Sequence, residues 1–416
     1  MSIKKKISVI GLGYVGLPLA VALSKSFEVV GFDINKSRVK ELNAHNDKTL
    51  EVAKKELKNA NNLKISSNQN DIAGSDIFIA TVPTPIDEKN NPDLIALKMA
   101  TKTIACAIKK GSIVVYESTV YPGCTEEICV PILENFSNLS FNKDFFVGYS
   151  PERINPGDKN HAIGDIVKIV SASNKKSLDI LHEVYSKIIP AGLHKATSIK
   201  VAEAAKIIEN TQRDINIALM NEFSLILNEL DIDSKEVIEA AGTKWNFHKY
   251  SPGLVGGHCI GVDPYYLTYK AKKLGINPRV ILSGRKVNDS MHKDVATYLL
   301  KNSVNNNKIL ILGATFKENC PDIRNSRIEN FILEMNLHGI KPEVYDPFLD
   351  KRPNFKGNFS FLKKWPSKKY DAVFLAVPHN NILARKLNSF LDLLKKQGIL
   401  LDFKSVLPSH QKILKW

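Results

Sequence analysis

Apolar residues in the first two hundred positions fall mainly into short, β-branched runs, separated by stretches with an apolar residue every three or four places. Runs at Lys6–Ile10, Glu28–Phe32, Asp76–Val82, Ser112–Tyr116 and Phe145–Gly148 read as buried strands, with helices at Asp93–Ile108 and Thr125–Phe136. Such alternation predicts βαβ units on a parallel sheet. It returns late in the chain, where Lys308–Leu312, Glu343–Tyr345, Asp371–Val377 and Ile399–Asp402 read as strands. Between the two regions, Ser198 to about Leu230 keeps helical spacing without a Gly or Pro, which predicts a helix nearly 50 Å long at ~1.5 Å per residue. Asp233–Ala241, Pro264–Leu274 and Val280–Asn302 extend the helical region. Gly242–Val262, rich in Gly, Pro and aromatics, is too long for an ordinary connection and predicts a functional loop.

With 416 residues, 44% hydrophobic and 24% charged, the chain can fill two or three cores and is neither disordered nor fibrous. Its net charge of +15 points to an anionic partner: nucleic acid, a membrane surface or a phosphorylated small molecule. From Lys301 to Trp416 there are 20 basic and 10 acidic side chains, spread as pairs such as Lys363-Lys364, which reads as solvated surface and not as a nucleic-acid tail. The apolar start is broken by glycines, unlike a signal peptide, and no run approaches the ~20 residues of a membrane span. Five scattered cysteines without a CxxC pair argue against a disulfide scaffold or structural zinc, and a soluble protein of the reducing cytoplasm is expected.

Four groups of residues carry chemistry. Gly11-Leu-Gly13-Tyr14-Val15-Gly16 follows a strand and opens a helix, and Asp33 ends the next strand 17 residues after Gly16. The glycines allow a tight turn, approach of a pyrophosphate and close helix packing, and the acid receives ribose hydroxyls, favouring NAD over NADP. The fold class predicted is therefore α/β: two Rossmann-like doubly wound domains joined by a long central helix and helical core. The expected domains are residues 1–197, 198–302 and 303–416. In Gly256-Gly257-His258-Cys259-Ile-Gly-Val-Asp263, Cys259 alone reads more readily as a buried small hydrophobe than as a nucleophile, but two preceding glycines that let a ligand approach shift the balance. His258 lacks partners at metal-ligand spacing, so no metal is expected. Lys206 and Asn210 share a helix face, where they suit a developing oxyanion; the plainer reading pairs Lys206 with Glu203 or Glu209 on a helix surface. Finally, the loops Thr81–Pro85, Glu117–Val120 and Ser150–Arg153 follow predicted strands at the end where open α/β sheets bind ligands.

With GLGYVGLPLA, VPTP, YESTVYPGCTEE, SPERINPGD, KVAEAAKIIENTQRD, PGLVGGHCIGVDPYYL and TFKENCPDIRNSR in this order, the chain resembles the UDP-glucose/GDP-mannose dehydrogenase family over essentially its whole length. SPERINPGD and GLVGGHCIGVDPYYL resemble most the branch that oxidises UDP-N-acetylhexosamines, in particular the UDP-N-acetylglucosamine 6-dehydrogenases of surface polysaccharide synthesis. The resemblance implies a four-electron oxidation of the sugar C6 hydroxymethyl to a carboxylate by two successive NAD molecules, in a cytoplasmic homodimer or higher homo-oligomer. Cys259 matches the nucleophile that passes through a thiohemiacetal and a thioester. Lys206 and Asn210 match the oxyanion pair, Asp263 an acid near the thiol, and Thr119 and Glu152 residues that position water, Glu152 being a candidate acid or base. The cofactor residues implied are Gly11, Gly13, Tyr14, Val15, Gly16, Asp33, Arg38, Pro83, Thr84, Thr119 and Arg327. Those implied for the sugar nucleotide are Glu152, Arg153, Ile154, Lys206, Asn210, Gly256, Gly257, Phe316, Lys317 and Arg324.

Two positions depart from the pattern. Pro156 stands where UDP-glucose dehydrogenases have a second glutamate, and Ser251 where N-acetylhexosamine relatives often have an arginine, a role left to Lys244 or Lys249. UDP-glucose and UDP-N-acetylgalactosamine are the competing substrates. A non-enzymatic NAD-binding regulator or nucleic-acid binder is the competing class, although the motifs leave nucleic acid and membrane insertion without support.

Overall fold

The computed structural model describes residues 5–153, 163–257, 260–305 and 307–416. Two compact units are distinguished: Met1–Glu209 with Tyr265–Ile276, and Asn210–Pro264 with Asn277–Trp416.

The first unit is built on eight strands: β1 (Lys6–Ile10), β2 (Glu28–Phe32), β3 (Leu63–Ser66), β4 (Ile77–Ala80), β5 (Ile113–Tyr116), β6 (Phe146–Tyr149), β7 (Lys168–Ala172) and β8 (Leu193–Lys195). Their order is β3-β2-β1-β4-β5-β6-β7-β8. All neighbours are parallel except β6 and β7, where Gly148 faces Ala172 and Tyr149 faces Ser171. The central strands β4 and β5 are buried at every position, as a parallel sheet covered on both faces demands. The order in which strands are added reverses between the parallel neighbours β1 and β4, so the segments after Ile10 and Ala80 emerge side by side at the carboxyl edge, the position from which such sheets bind ligands. The helix expected at Thr125–Phe136 opens with a π-helical turn, Thr125–Cys129, before regular α-helix over Val130–Ser137. Pro131 explains this, since it has no N–H to donate to the preceding turn.

The second unit carries β9 (Ile309–Leu312), β10 (Glu343–Tyr345), β11 (Ser360–Leu362), β12 (Tyr370–Leu375), β13 (Leu394–Asp402) and β14 (Ile413–Lys415), in the order β11-β10-β9-β12-β13-β14. This repeats the order of the first six strands, so both sheets are doubly wound. Alternation along β9 shows why: Ile309 and Ile311 join a core cluster with Phe331 and Met335, while Leu310 and Leu312 join another with Phe390 and Leu394. The strands that the apolar pattern does not reveal include all four sheet edges, β3, β8, β11 and β14, which are partly exposed. The fifth, β7, begins with a lysine that is nonetheless buried.

The predicted long helix spans Ile199–Glu229, its first part in the first unit and the remainder in the second. In the second unit, helix Arg279–Asn302 is tied to it by Arg285, whose guanidinium meets Asp214 at 2.6 Å and also Asp289. Among the described residues, no helix is long and apolar enough to cross a membrane.

Candidate active site

The glycine turn after β1 has the geometry of a dinucleotide cradle. Gly11 takes φ +96°, a conformation that favours glycine, and a Cβ on Gly16 would stand 1.9 Å from the Gly11 carbonyl and 2.4 Å from the Thr81 hydroxyl. Gly13 differs, because a Cβ there would meet nothing within 4 Å. Gly16 is thus demanded by the protein's own packing, whereas Gly13 leaves open space beside the unsatisfied amides that begin helix Gly16–Ser24. Gly13→Ala should therefore leave the melting temperature unchanged while weakening NAD binding at least tenfold, and Gly16→Ala should lower both. Calorimetric NAD titration and thermal unfolding of the two variants test this; a destabilised Gly13→Ala would contradict it.

Asp33 ends β2 with one oxygen accepting the Leu12 amide at 2.9 Å and the other accepting the Asn35 amide at 2.8 Å. This holds the carboxylate at the turn, with lone pairs left for a ribose. Arg38, expected to contact cofactor, is committed elsewhere: it donates to the Leu12 carbonyl at 2.9 Å and pairs with Glu41 at 2.7 Å and Asp47 at 2.8 Å. The Asp47 carboxyl stays below its usual range because hydrogen bonds, including that from Arg38, outweigh its burial. Arg38 braces the turn, so the arginine that a 2′-phosphate needs is spent and the turn suits NAD. Tyr14 and Val15 are half-buried beside it, as is Thr84 on the loop after β4, while Pro83 is exposed. The Tyr266 hydroxyl reaches the carbonyls of Thr84 at 2.9 Å and Pro85 at 3.0 Å, and the Ser118 hydroxyl donates to the Val82 carbonyl at 2.6 Å. Thr119, half-buried, follows directly.

Glu152 lies beyond β6, largely buried. One oxygen accepts the Arg153 amide at 2.7 Å, and the other meets the Lys168 ammonium at 3.3 Å. The Arg153 guanidinium, expected at the substrate, pairs with Glu209 at 3.1 Å and donates to the Val167 carbonyl at 2.9 Å. Glu203 is occupied as well: its carboxylate accepts the amides of Gly123 and Thr125, at 2.5 Å and 2.9 Å, and burial pushes it up to about 7 against those bonds. It anchors the segment after Thr119 to the long helix. The surface pairing considered for Lys206 is therefore not what the structure has. Lys206 is 7% exposed, and no hydrogen bond or ion pair engages its ammonium among the described residues.

In the second unit, Asn210 is buried one helical turn beyond Lys206 and donates to Asp263 at 2.5 Å. Asp263 is the first residue of helix Asp263–Lys273. Cys259 and His258 lie outside the described residues, as do Ile154 and Pro156. Gly256 and Gly257 were expected to admit a ligand, yet the chain itself fills those spaces. A Cβ on Gly256 would stand 2.5 Å from the Asn325 carbonyl, and one on Gly257, at φ +78°, 2.6 Å from the Phe316 ring. Asn221 clamps the same loop, donating to the Gly253 carbonyl at 3.0 Å and accepting its amide at 2.8 Å. Arg327, expected at the cofactor, donates to the Val255 carbonyl at 2.8 Å and pairs with Asp289, so it too secures the loop that leads to Cys259. Arg324 is half-exposed, its guanidinium held flat by Asp322, and Lys317 lies over the Phe316 ring at 5.7 Å.

Sequence reasoning missed two buried sets. One is Glu117 and Tyr185 around Lys168. The other is Asp346, which ends β10 as Asp33 ends β2 and accepts the Ala314 amide at 2.6 Å. His379 seals Asp346 with a 3.0 Å contact, and the pair is buried, so the second sheet offers no open acid to a ribose. The spacing from Gly313 to Asp346 was a visible signal for it; in the first set only Glu117 was marked, as the start of a loop at the ligand-binding end, and nothing in the local sequence joined it to Lys168 or Tyr185.

One sheet thus keeps an open glycine turn and a reachable acid, while its counterpart repeats the order of strands with the acid sealed. This asymmetry matches the comparisons with known proteins. Family models for the UDP-glucose/GDP-mannose dehydrogenase family match in succession: the NAD binding domain at residues 5–189, the central domain at 200–290 and the UDP binding domain at 310–409. A UDP-N-acetyl-D-glucosamine 6-dehydrogenase of Pseudomonas aeruginosa is 49% identical, over 99% of this chain and 99% of its own. One of Salmonella typhi is 50% identical, over 98% and 97%. The crystal structure of a UDP-D-ManNAc dehydrogenase from Pyrococcus horikoshii superposes with a TM-score of 0.85 at 29% identity, covering 99% of this chain and 98% of that one. Paired sheets, an open dinucleotide turn on the first and full-length identity near one half have one explanation: the chain belongs to the UDP-glucose/GDP-mannose dehydrogenase family.

Proposed function

We propose that this protein oxidises the C6 hydroxymethyl of UDP-N-acetylglucosamine to a carboxylate, consuming two NAD and one water and releasing two NADH and three protons. The observation that carries the reading is full-length identity of 49–50% to two UDP-N-acetyl-D-glucosamine 6-dehydrogenases. NAD, when bound, supplies the hydride acceptor for each oxidation. The Gly11–Gly16 turn and Asp33 would hold it, with Thr84 and Thr119 as further residues that would contact it. Lys317 and Arg324 serve the UDP phosphates. Lys206 and Asn210 stabilise negative charge as it develops on the C6 oxygen. Cys259 adds to the aldehyde left by the first oxidation, and the second oxidation leaves a thioester on its sulfur. Glu152 and Thr119 position the water that cleaves this thioester, freeing uronate and thiol, with Asp263 carrying protons nearby.

The same reading gives a cytoplasmic homodimer or higher homo-oligomer with three functional parts, at residues 1–197, 198–302 and 303–416, serving surface polysaccharide synthesis. The test supplies purified protein with NAD and one UDP-sugar at a time. Expected are two NADH per uronate formed and kcat/KM for UDP-N-acetylglucosamine at least about tenfold above that for UDP-glucose. Efficient turnover of UDP-glucose with neither N-acetylhexosamine oxidised would overturn the assignment.

A further inference from the structure

Behind Glu152 stands a buried cluster that the proposed chemistry does not use. The Lys168 ammonium, at the first position of β7, lies 2.9 Å from one oxygen of Glu117, 3.3 Å from Glu152 and 3.3 Å from the Pro151 carbonyl. The other Glu117 oxygen accepts the Tyr185 hydroxyl at 2.5 Å, and the Tyr185 ring lies 5.4 Å from the ammonium. Glu117, Lys168 and Tyr185 are almost wholly buried. Their sequence separations are large, so only the fold brings them together. A buried cation is disfavoured by desolvation unless partners offset it, and here two carboxylates do.

We propose that Lys168 is a positioning residue for the oxidation, fixing the Glu152 carboxylate from behind while Glu117 and Tyr185 hold Lys168 in place. This rests on the reading of Glu152 as the group that handles water or protons. Among the groups that act on its carboxylate are Lys168 of β7 and the Arg153 amide, in direct contact, with Glu117 beyond β5 and Tyr185 of helix Lys175–Ser186 behind Lys168; the Arg153 guanidinium is turned to Glu209. Two carboxylates share one cation, so they titrate as a coupled pair. Burial raises Glu117 despite Lys168, with Glu152 adding to the rise, whereas the two carboxylates raise Lys168 despite its burial. Lys168 therefore stays charged, and each carboxylate opposes ionisation of the other.

Opposite effects follow for two residues placed behind Glu152. Glu117→Gln leaves the cation to Glu152 alone and should move the acid limb of the kcat profile down by about one pH unit. Lys168→Met removes the cation and should move that limb up by a similar amount, with kcat at neutral pH reduced about tenfold or more and KM for NAD changed less than about threefold. The profiles are recorded on the full-length protein with UDP-N-acetylglucosamine, after circular dichroism has confirmed folding. Folded variants whose limbs stay in place, or move the same way, would overturn the proposal. If Lys168→Met does not fold, Glu117→Gln decides alone: a downward shift supports the proposal, and an unmoved limb refutes it. Glu152→Gln separates this outcome from failure of the underlying reading. A wild-type rate and profile in that variant removes Glu152 from the chemistry and the proposal with it.

Discussion

Cys259→Ser is expected to lower uronate formation by roughly 10³-fold or more, because on the proposed route the thiol takes part in every step after the first oxidation. Serine is nearly isosteric, but its hydroxyl is far less ionised near neutral pH, and it cannot offer a thioester to water. On that route the first oxidation proceeds without the sulfur, so some aldehyde or an enzyme-bound intermediate should persist. Stopped-flow measurement of NADH with mass-spectrometric detection of the sugar product tests this directly. A wild-type yield of uronate would refute the thioester route, and no NADH formed by the unmutated protein with any UDP-sugar would favour a non-enzymatic NAD-binding protein.

Lys206→Met should give the second large effect. The lysine is buried, and among the described residues nothing pairs with its ammonium, so replacing it breaks no described ion pair of the fold. In the proposed reaction this ammonium stabilises the negative charge that develops on the C6 oxygen. Methionine is of similar length and apolar, so the variant should retain or raise its melting temperature while kcat falls by about 10²–10³, as when an oxyanion donor is removed. Thermal unfolding and steady-state kinetics read the two effects separately. Unchanged kcat with a lowered melting temperature would make Lys206 a packing residue.

The site was legible where its chemistry is local. The glycine turn, Asp33 and the one-turn spacing of Lys206 and Asn210 each lie within a short stretch, and the central strands declare themselves as unbroken apolar runs. Edge strands such as Leu63–Ser66 escaped because a half-exposed strand need not be apolar. Arg38, Arg153 and Arg327 were matched to ligands by position, yet each guanidinium proves to be held by carboxylates and a backbone carbonyl. An arginine can bind a phosphate or brace a loop with the same geometry, and only its surroundings separate the two. The Gly256-Gly257 pair teaches the same lesson: a missing Cβ admits a ligand or a neighbouring ring, and here Phe316 takes the space.

By itself, then, the sequence determined the two doubly wound sheets and the dinucleotide turn, because each depends on contacts within a few residues or on apolar periodicity, and its ordered motifs determined the family. Tertiary structure alone decided which charges are spent and which remain available. Lys168 meets Glu117 across 51 positions and His379 meets Asp346 across 33. The energy of a buried charge is fixed by partners that only folding assembles, and no local pattern records them.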